Sequence, residues 1–167
     1  NIFILLFEVI CIRLGNLINI GSMNTMYIVN ICLINFSLII FYLYLNKTKD
    51  YFHAFFGLIL TFFFMPLFLY SPIFYSDTFS LFLPISILYI FSFINKNDNY
   101  VFWIILGILV FLSKEIKITA LIIFIPLFLN YILSHPLKKS IVNLSIVIIA
   151  FLSLNLVYNN MLLNKLN

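Results

Sequence analysis

Apolar residues in this chain come in long unbroken stretches, and short polar clusters separate them. A membrane-spanning helix needs about 20 mostly apolar residues in a row. Residues 26–45 form one such run, with Asn24 and Thr25 as expected helix caps, and Asn46-Lys47-Thr48-Lys49-Asp50 closes it. Residues 52–71 form a second run, and Pro72 to Thr78 read as a turn. Residues 79–94 form a third, with a kink expected at Pro84. Beyond the polar Asn95-Lys96-Asn97-Asp98-Asn99 lie two shorter runs, 101–112 and 118–133, split by Ser113-Lys114-Glu115-Ile116-Lys117. Ser134 to Lys139 form another turn, and residues 141–158 make the last run. Residues 1–12 are an incomplete apolar run containing Glu8, followed by Arg13. The pattern predicts an all-α, polytopic transmembrane helix bundle of about six to seven spans, one domain over residues 1–167.

The split segment decides the topology. A single helix over residues 101–133 would be about 50 Å long at 1.5 Å per residue, against a hydrocarbon core of roughly 30 Å. It would also hold Lys114, Glu115 and Lys117 near mid-membrane, at roughly 2.5–3.5 kcal/mol per charge. Two crossings with the charges at an interface are cheaper, and are preferred here to a re-entrant pair. Alternating crossings then sort the basic residues. One side receives Lys47, Lys49, Lys96, Lys138 and Lys139, with His53 and His135 nearby. The other receives Arg13, Lys114, Lys117 and Lys165. The first side is the expected cytoplasmic one, because its lysines lie in short polar turns and basic residues favour the cytoplasm. The turn carrying Asp77 and the Lys114–Lys117 segment are then expected together on the outer face.

Composition excludes the alternative of a soluble domain. Apolar residues make up 65% and charged residues 8%, where soluble proteins run at roughly 45–50% and about 25%. With so few charges, the net +4 is not a nucleic-acid signature. Cys11 and Cys32 lie in apolar runs without a CxxC spacing, so no disulfide or metal site is expected. The chain opens at Asn1 inside an apolar run with no basic segment before it, unlike a signal peptide. It reads as a chain missing its beginning, and its far end as well.

Two segments could carry chemistry. The first is Pro72-Ile73-Phe74-Tyr75-Ser76-Asp77-Thr78. A carboxylate at a membrane rim could orient a sugar hydroxyl, bind a divalent metal or act as a base; equally, Asp77 or Ser76 could cap the next helix. Tyr70 and Tyr75 fit an interfacial aromatic belt. The second is Ser113-Lys114-Glu115-Ile116-Lys117-Ile118-Thr119. Two ammonium groups at a helix break make a phosphate clamp; equally, they are snorkelling lysines that mark the interface, with Glu115 as neutralising partner. Glu8 and Arg13 are five apart, not the three or four that align helix neighbours. His53 and His135 stand at turns without partners, and no glycine-rich phosphate loop or nucleophile elbow is present. The Asn46-Lys47-Thr48 sequon falls on the expected inner side and is discounted.

The stretch Phe64-Met65-Pro66-Leu67-Phe68-Leu69-Tyr70-Ser71-Pro72-Ile73-Phe74-Tyr75-Ser76-Asp77-Thr78-Phe79-Ser80-Leu81-Phe82 resembles bacterial multi-spanning GT-C type glycosyltransferases, relatives of the dolichyl-phosphate-mannose protein mannosyltransferases. The segment from Gly107 to Ile122 is similar to their later region, where a glycine-bearing helix leads into a lysine and then a threonine; Lys117 with Thr119 is the better match. Arg13-Leu14-Gly15-Asn16 before a span fits loosely. The resemblance covers roughly residues 13–133. It implies a partial GT-C type fold in the bacterial cytoplasmic membrane, and a polyprenyl-phosphate-linked sugar as donor at the outer face. It implies substrate-binding roles for Asp77, Tyr75, Lys114, Lys117 and Thr119, with Asp77 near the donor or a metal and the lysines on the lipid phosphate. The family's catalytic acid lies in an outer loop before the region present here, so the base is expected upstream of Asn1. The alternatives are a transporter or flippase segment, or a non-catalytic membrane subunit. The expected partners are the lipid bilayer and the lipid-linked sugar, not nucleic acid.

Overall fold

A computed structural model describes residues 2–63, 76–94 and 99–166, with side chains over 5–63, 81–94 and 99–161. These residues are helical apart from short connections, without a strand among them. The helices are α1 (Ile2–Leu17), α2 (Ser22–Thr48), α3 (Tyr51–Phe62), α4 (Ser76–Ile94), α5 (Tyr100–Ile116), a 3-10 helix η1 (Ile118–Ile123), α6 (Phe124–Ser134) and α7 (Leu137–Leu166).

Polar residues set most of the boundaries. The Asp50 carboxylate accepts the His53 N–H at 2.8 Å and caps α3. The Asn99 side chain accepts the Val101 N–H at 3.0 Å and caps α5. Between α1 and α2 the chain turns through Asn19 at φ 57, a left-handed conformation that asparagine tolerates well. The expected caps Asn24 and Thr25 lie inside α2, whose N-cap is Gly21. Thr25 donates back to the Gly21 carbonyl at 3.3 Å instead. Pro84 sits within α4. Of the expected turn at Pro72–Thr78, residues 72–75 lie outside the described residues, and Ser76, Asp77 and Thr78 already form the first turn of α4.

Helix directions follow from which residues touch. Phe36 stacks on Phe82 at 5.7 Å and, toward both C-termini, the Lys47 ammonium sits over the Phe93 ring, so α2 and α4 run parallel. Phe91 against Trp103 and Phe93 against Phe102 make α4 and α5 antiparallel. The chain reverses at Lys117, because Phe128 and Tyr131 of α6 return to Trp103 at 6.1 and 4.8 Å. It reverses again at His135 and Pro136, and α7 runs parallel to α5: Phe111 meets Phe151, and Lys114 meets Asn155. Residues 101–133 are therefore a hairpin and not one long helix, as expected from the charged Ser113–Lys117 break. The described basic residues fall at two ends as the parity argument sorted them, and Lys96 lies outside the described residues. The lower end holds Lys47, Lys49, His53, His135, Lys138 and Lys139; the upper end holds Arg13, Lys114 and Lys117.

Trp103 is the centre of the core, 1% exposed, with Phe91, Phe128 and Tyr131 edge-on around it and Leu83, Ile87 and Leu106 alongside. Edge-to-face pairs of this kind contribute about 0.5–1.5 kcal/mol each beyond the area they bury. Outside this core the usual distribution is inverted. Asn30, Ser37 and Ser113 are fully enclosed, while Leu17, Phe63 and Leu133 are at least 80% exposed. Two helices, Ser22–Thr48 and Leu137–Met161, are long and apolar enough to cross a membrane; Tyr51–Phe62, Leu81–Ile94 and Ile118–Ser134 are apolar but shorter.

Candidate functional site

The upper end carries the segment that the sequence singled out. α5 holds its backbone ladder as far as Lys117, whose N–H still reaches the Ser113 carbonyl at 2.9 Å. At Lys117 the backbone opens to φ −156, ψ 110, and this extended residue is both the C-cap of α5 and the start of the reversal. Neither proline nor glycine causes the break. The residues that follow, Ile118 and Thr119, are β-branched and favour leaving the α-helix. The chain resumes as a six-residue 3-10 helix, longer than the three or four residues usual for that geometry.

Lys114 and Lys117 have different surroundings. The Lys114 ammonium donates to the Asn155 side-chain oxygen at 2.8 Å and lies 3.0 Å from the Glu115 carboxylate. It also lies 5.8 Å from the centre of the Phe151 ring. The Glu115 side chain is only 15% exposed, and the Tyr158 phenol hydrogen-bonds to it. Tyr158 in turn packs edge-on against Phe111 at 5.9 Å. A half-buried carboxylate with one ammonium and one phenol is a closed arrangement in which each charge has its counterpart. Lys114 therefore has Glu115 as its ion partner. Lys117 is half-buried at the break, and Thr119 is exposed on η1.

Asp77 lies in the first turn of α4, with its side chain outside the described residues, and Tyr75 lies outside them altogether. The backbone nevertheless locates that turn. α4 is antiparallel to α5, its C-terminal turn lies beside Phe102, and the helix also contacts η1. The start of α4 and the Lys117 break therefore share the upper end, as expected. Among the described residues no three His, Cys, Asp or Glu side chains converge, so no donor set for a divalent cation is assembled there.

Two participants were missed. Asn155 and Tyr158 stand in the last apolar run, where polar residues among apolar ones were a signal in themselves. Their pairing with residues some forty positions away has no local signature. At the lower end, Asn143 donates to the Tyr131 hydroxyl at 2.8 Å, and His135 stacks on the Tyr131 ring at 4.1 Å. His135 therefore does have a partner. So does His53, whose ring nitrogen lies 2.7 Å from Asp50. Comparison of the chain with protein-family models, with curated proteins and with solved structures finds no match.

Proposed function

We propose that this chain is a polytopic membrane bundle and part of a glycosyltransferase that takes its sugar from a polyprenyl phosphate at the outer membrane face. The membrane part rests on the inverted distribution of polarity: buried Asn30 and Ser37 beside exposed leucines and phenylalanines suit a hydrocarbon solvent. Lengths agree with two crossings at the hairpin. α5 is about 26 Å long, and η1 with α6 about 28 Å, close to the roughly 30 Å core.

The single observation that supports the enzymatic part is that the α4 start, which carries Asp77, and the Lys117 break fall at the same end of the bundle. In this reading the oxygen of an acceptor hydroxyl attacks the anomeric carbon. The bond from that carbon to the phosphate oxygen breaks, and its electron pair leaves with the polyprenyl phosphate. Lys117 holds the departing phosphate, with Thr119 beside it on η1, and Asp77 orients the sugar. Lys114 takes a different part. Tied to Glu115 and Asn155, it fastens α5 to α7. Glu115 is committed to Lys114 and Tyr158, so the proton of the acceptor passes to a carboxylate other than Glu115.

The test is sugar transfer from a polyprenyl-phosphate donor in membranes containing the full-length protein, normalised to protein level. Lys117→Ala should lower catalytic efficiency about ten- to a hundred-fold, the value of a charge-assisted phosphate contact. Lys49→Ala, in the opposite turn, should transfer like the parent. Equal transfer by both variants would leave Lys117 a mere interface anchor.

A further inference from the structure

The helix α2 carries asparagine at positions 24, 35 and 46. Eleven residues make close to three turns at 3.6 residues per turn, so Asn24, Asn35 and Asn46 lie on one face. All three are exposed. At 1.5 Å per residue Asn24 and Asn46 are about 33 Å apart, close to the roughly 30 Å of a hydrocarbon core. Asn35, halfway between them, then stands near mid-membrane. Ile28, Ile31 and Ile39 are exposed around it, and no charged residue occurs between Asn24 and Asn46. The other side of α2 is in use: Ile34, Ser37 and Leu38 are buried, and Phe36 stacks on Phe82 of α4. An exposed carboxamide at mid-membrane is costly, because lipid offers it no hydrogen bond. Asn35 meets part of that need within its own helix, where Nδ2 donates to the Ile31 carbonyl at 2.8 Å. Its second N–H and its carboxamide oxygen have no partner among the described residues.

We infer that this stripe is the contact face for a second copy of the chain, with α2 parallel to its counterpart and the two Asn35 carboxamides hydrogen-bonded to each other. Self-complementarity selects the occupant. Two copies inserted with the same topology are related by a two-fold axis along the membrane normal, so a residue near the axis meets its own counterpart at the same depth. A carboxamide is donor and acceptor at once and bonds its own kind reciprocally. All three asparagines then come into register together, with Ile28, Ile31 and Ile39 packed between them. The absence of charge along the stripe gives a charged helix no counter-ion there. Asparagine side chains that hydrogen-bond across spanning helices hold membrane assemblies together in this way. The inference rests on the membrane reading above, and the experiment separates the two.

The full chain, carrying a donor or an acceptor dye, is reconstituted in phosphatidylcholine vesicles, and energy transfer is followed as the protein is diluted into lipid. The parent should show specific transfer that falls with dilution as a dimer dissociates. Asn35→Leu should raise the dissociation constant about five- to thirty-fold, the value of a carboxamide contact between spanning helices. Asn35→Gln should keep most of the association, because it keeps the carboxamide. The Asn35 hydrogen bond lies within its own helix, so Asn35→Leu should leave the circular dichroism of the chain unchanged. A parent that stays monomeric at every dilution would give the stripe to some other helix and overturn the proposal, as would an Asn35→Leu chain that associates like the parent. Cross-linking locates the face. In a background with Cys11 and Cys32 replaced by alanine, Ile28→Cys and Ile39→Cys should join two copies through a short bis-maleimide in membranes. Leu60→Cys on α3 and Ile149→Cys on α7, both exposed, should not, and equal cross-linking at all four would overturn the assignment. Carbonate washing of membranes tests insertion separately. A chain that washes off fails the membrane reading itself, while one that stays and remains monomeric fails only the contact.

Discussion

The contact between α5 and α7 turns on one glycine. A Cβ placed on Gly107 would lie 2.7 Å from the Ala150 Cβ and 2.9 Å from the Val147 carbonyl oxygen. Comfortable carbon contacts are roughly 3.5–4.0 Å, so Gly107→Ala would force the two helices apart by about 1 Å at this level. Neither obstacle can rotate away, since one is backbone and the other is the first carbon of a side chain. Overpacking of this kind costs about 1–3 kcal/mol, against which alanine returns about 0.8–1 kcal/mol of helix propensity. The expected net loss is therefore about 0–2 kcal/mol. Gly57→Ala is the control. Its Cβ would meet the Leu45 Cδ1, the free end of a flexible side chain, so propensity should dominate and leave that variant neutral or more stable. The assay is unfolding of the purified chain in mixed micelles with increasing SDS, followed by circular dichroism. Separation should also loosen the Lys114–Asn155 hydrogen bond further along the same seam. A Gly107→Ala chain at least as stable as Gly57→Ala would refute the close approach of α5 and α7.

Two further outcomes follow from buried or capping polar groups. Asn143→Ala strands the Tyr131 hydroxyl in the aromatic core and should cost about 0.5–2 kcal/mol in the same titration, the range for hydrogen bonds between spanning helices. Asp50 is held below its ordinary value of 3.8 chiefly by the His53 backbone N–H and then by the His53 ring. A depressed carboxylate stabilises the fold above its unfolded value, and that contribution is lost as the pH falls through the lower, folded value. Asp50→Asn should therefore keep the cap of α3 while flattening the acid limb of the stability profile, read by the same circular dichroism titration across pH.

Much of the arrangement was legible in the sequence because long apolar runs and short polar breaks alternate in it. Continuous apolar runs located the described helix cores, and the charged break at Ser113–Lys117 located the reversal. The ends were less legible. α2 extends to Thr48 and α7 to Leu166, beyond the runs 26–45 and 141–158, because apolar length reports hydrocarbon thickness while polar residues such as Asn46 and Asn159 extend a helix equally well into the headgroups. Lys114 illustrates the limit at the candidate site. Its position was legible from spacing, but its commitment to Asn155 depends on the parallel packing of α5 and α7, set by Gly107 and Ala150 at a distance no local pattern records.

The central claim is that α5 and the η1–α6 segment each cross the membrane, which puts the Lys117 reversal and the His135 reversal on opposite sides. Single cysteines at Thr119 and at Leu137, both exposed positions, can be placed one at a time in a background with Cys11 and Cys32 replaced by alanine. An impermeant thiol reagent is then applied to intact cells and, separately, to opened membranes. Cysteine 119 should label from outside in intact cells, and cysteine 137 only after the membrane is opened. Labelling of both from the same side would mean that the hairpin does not cross twice, and would contradict the account.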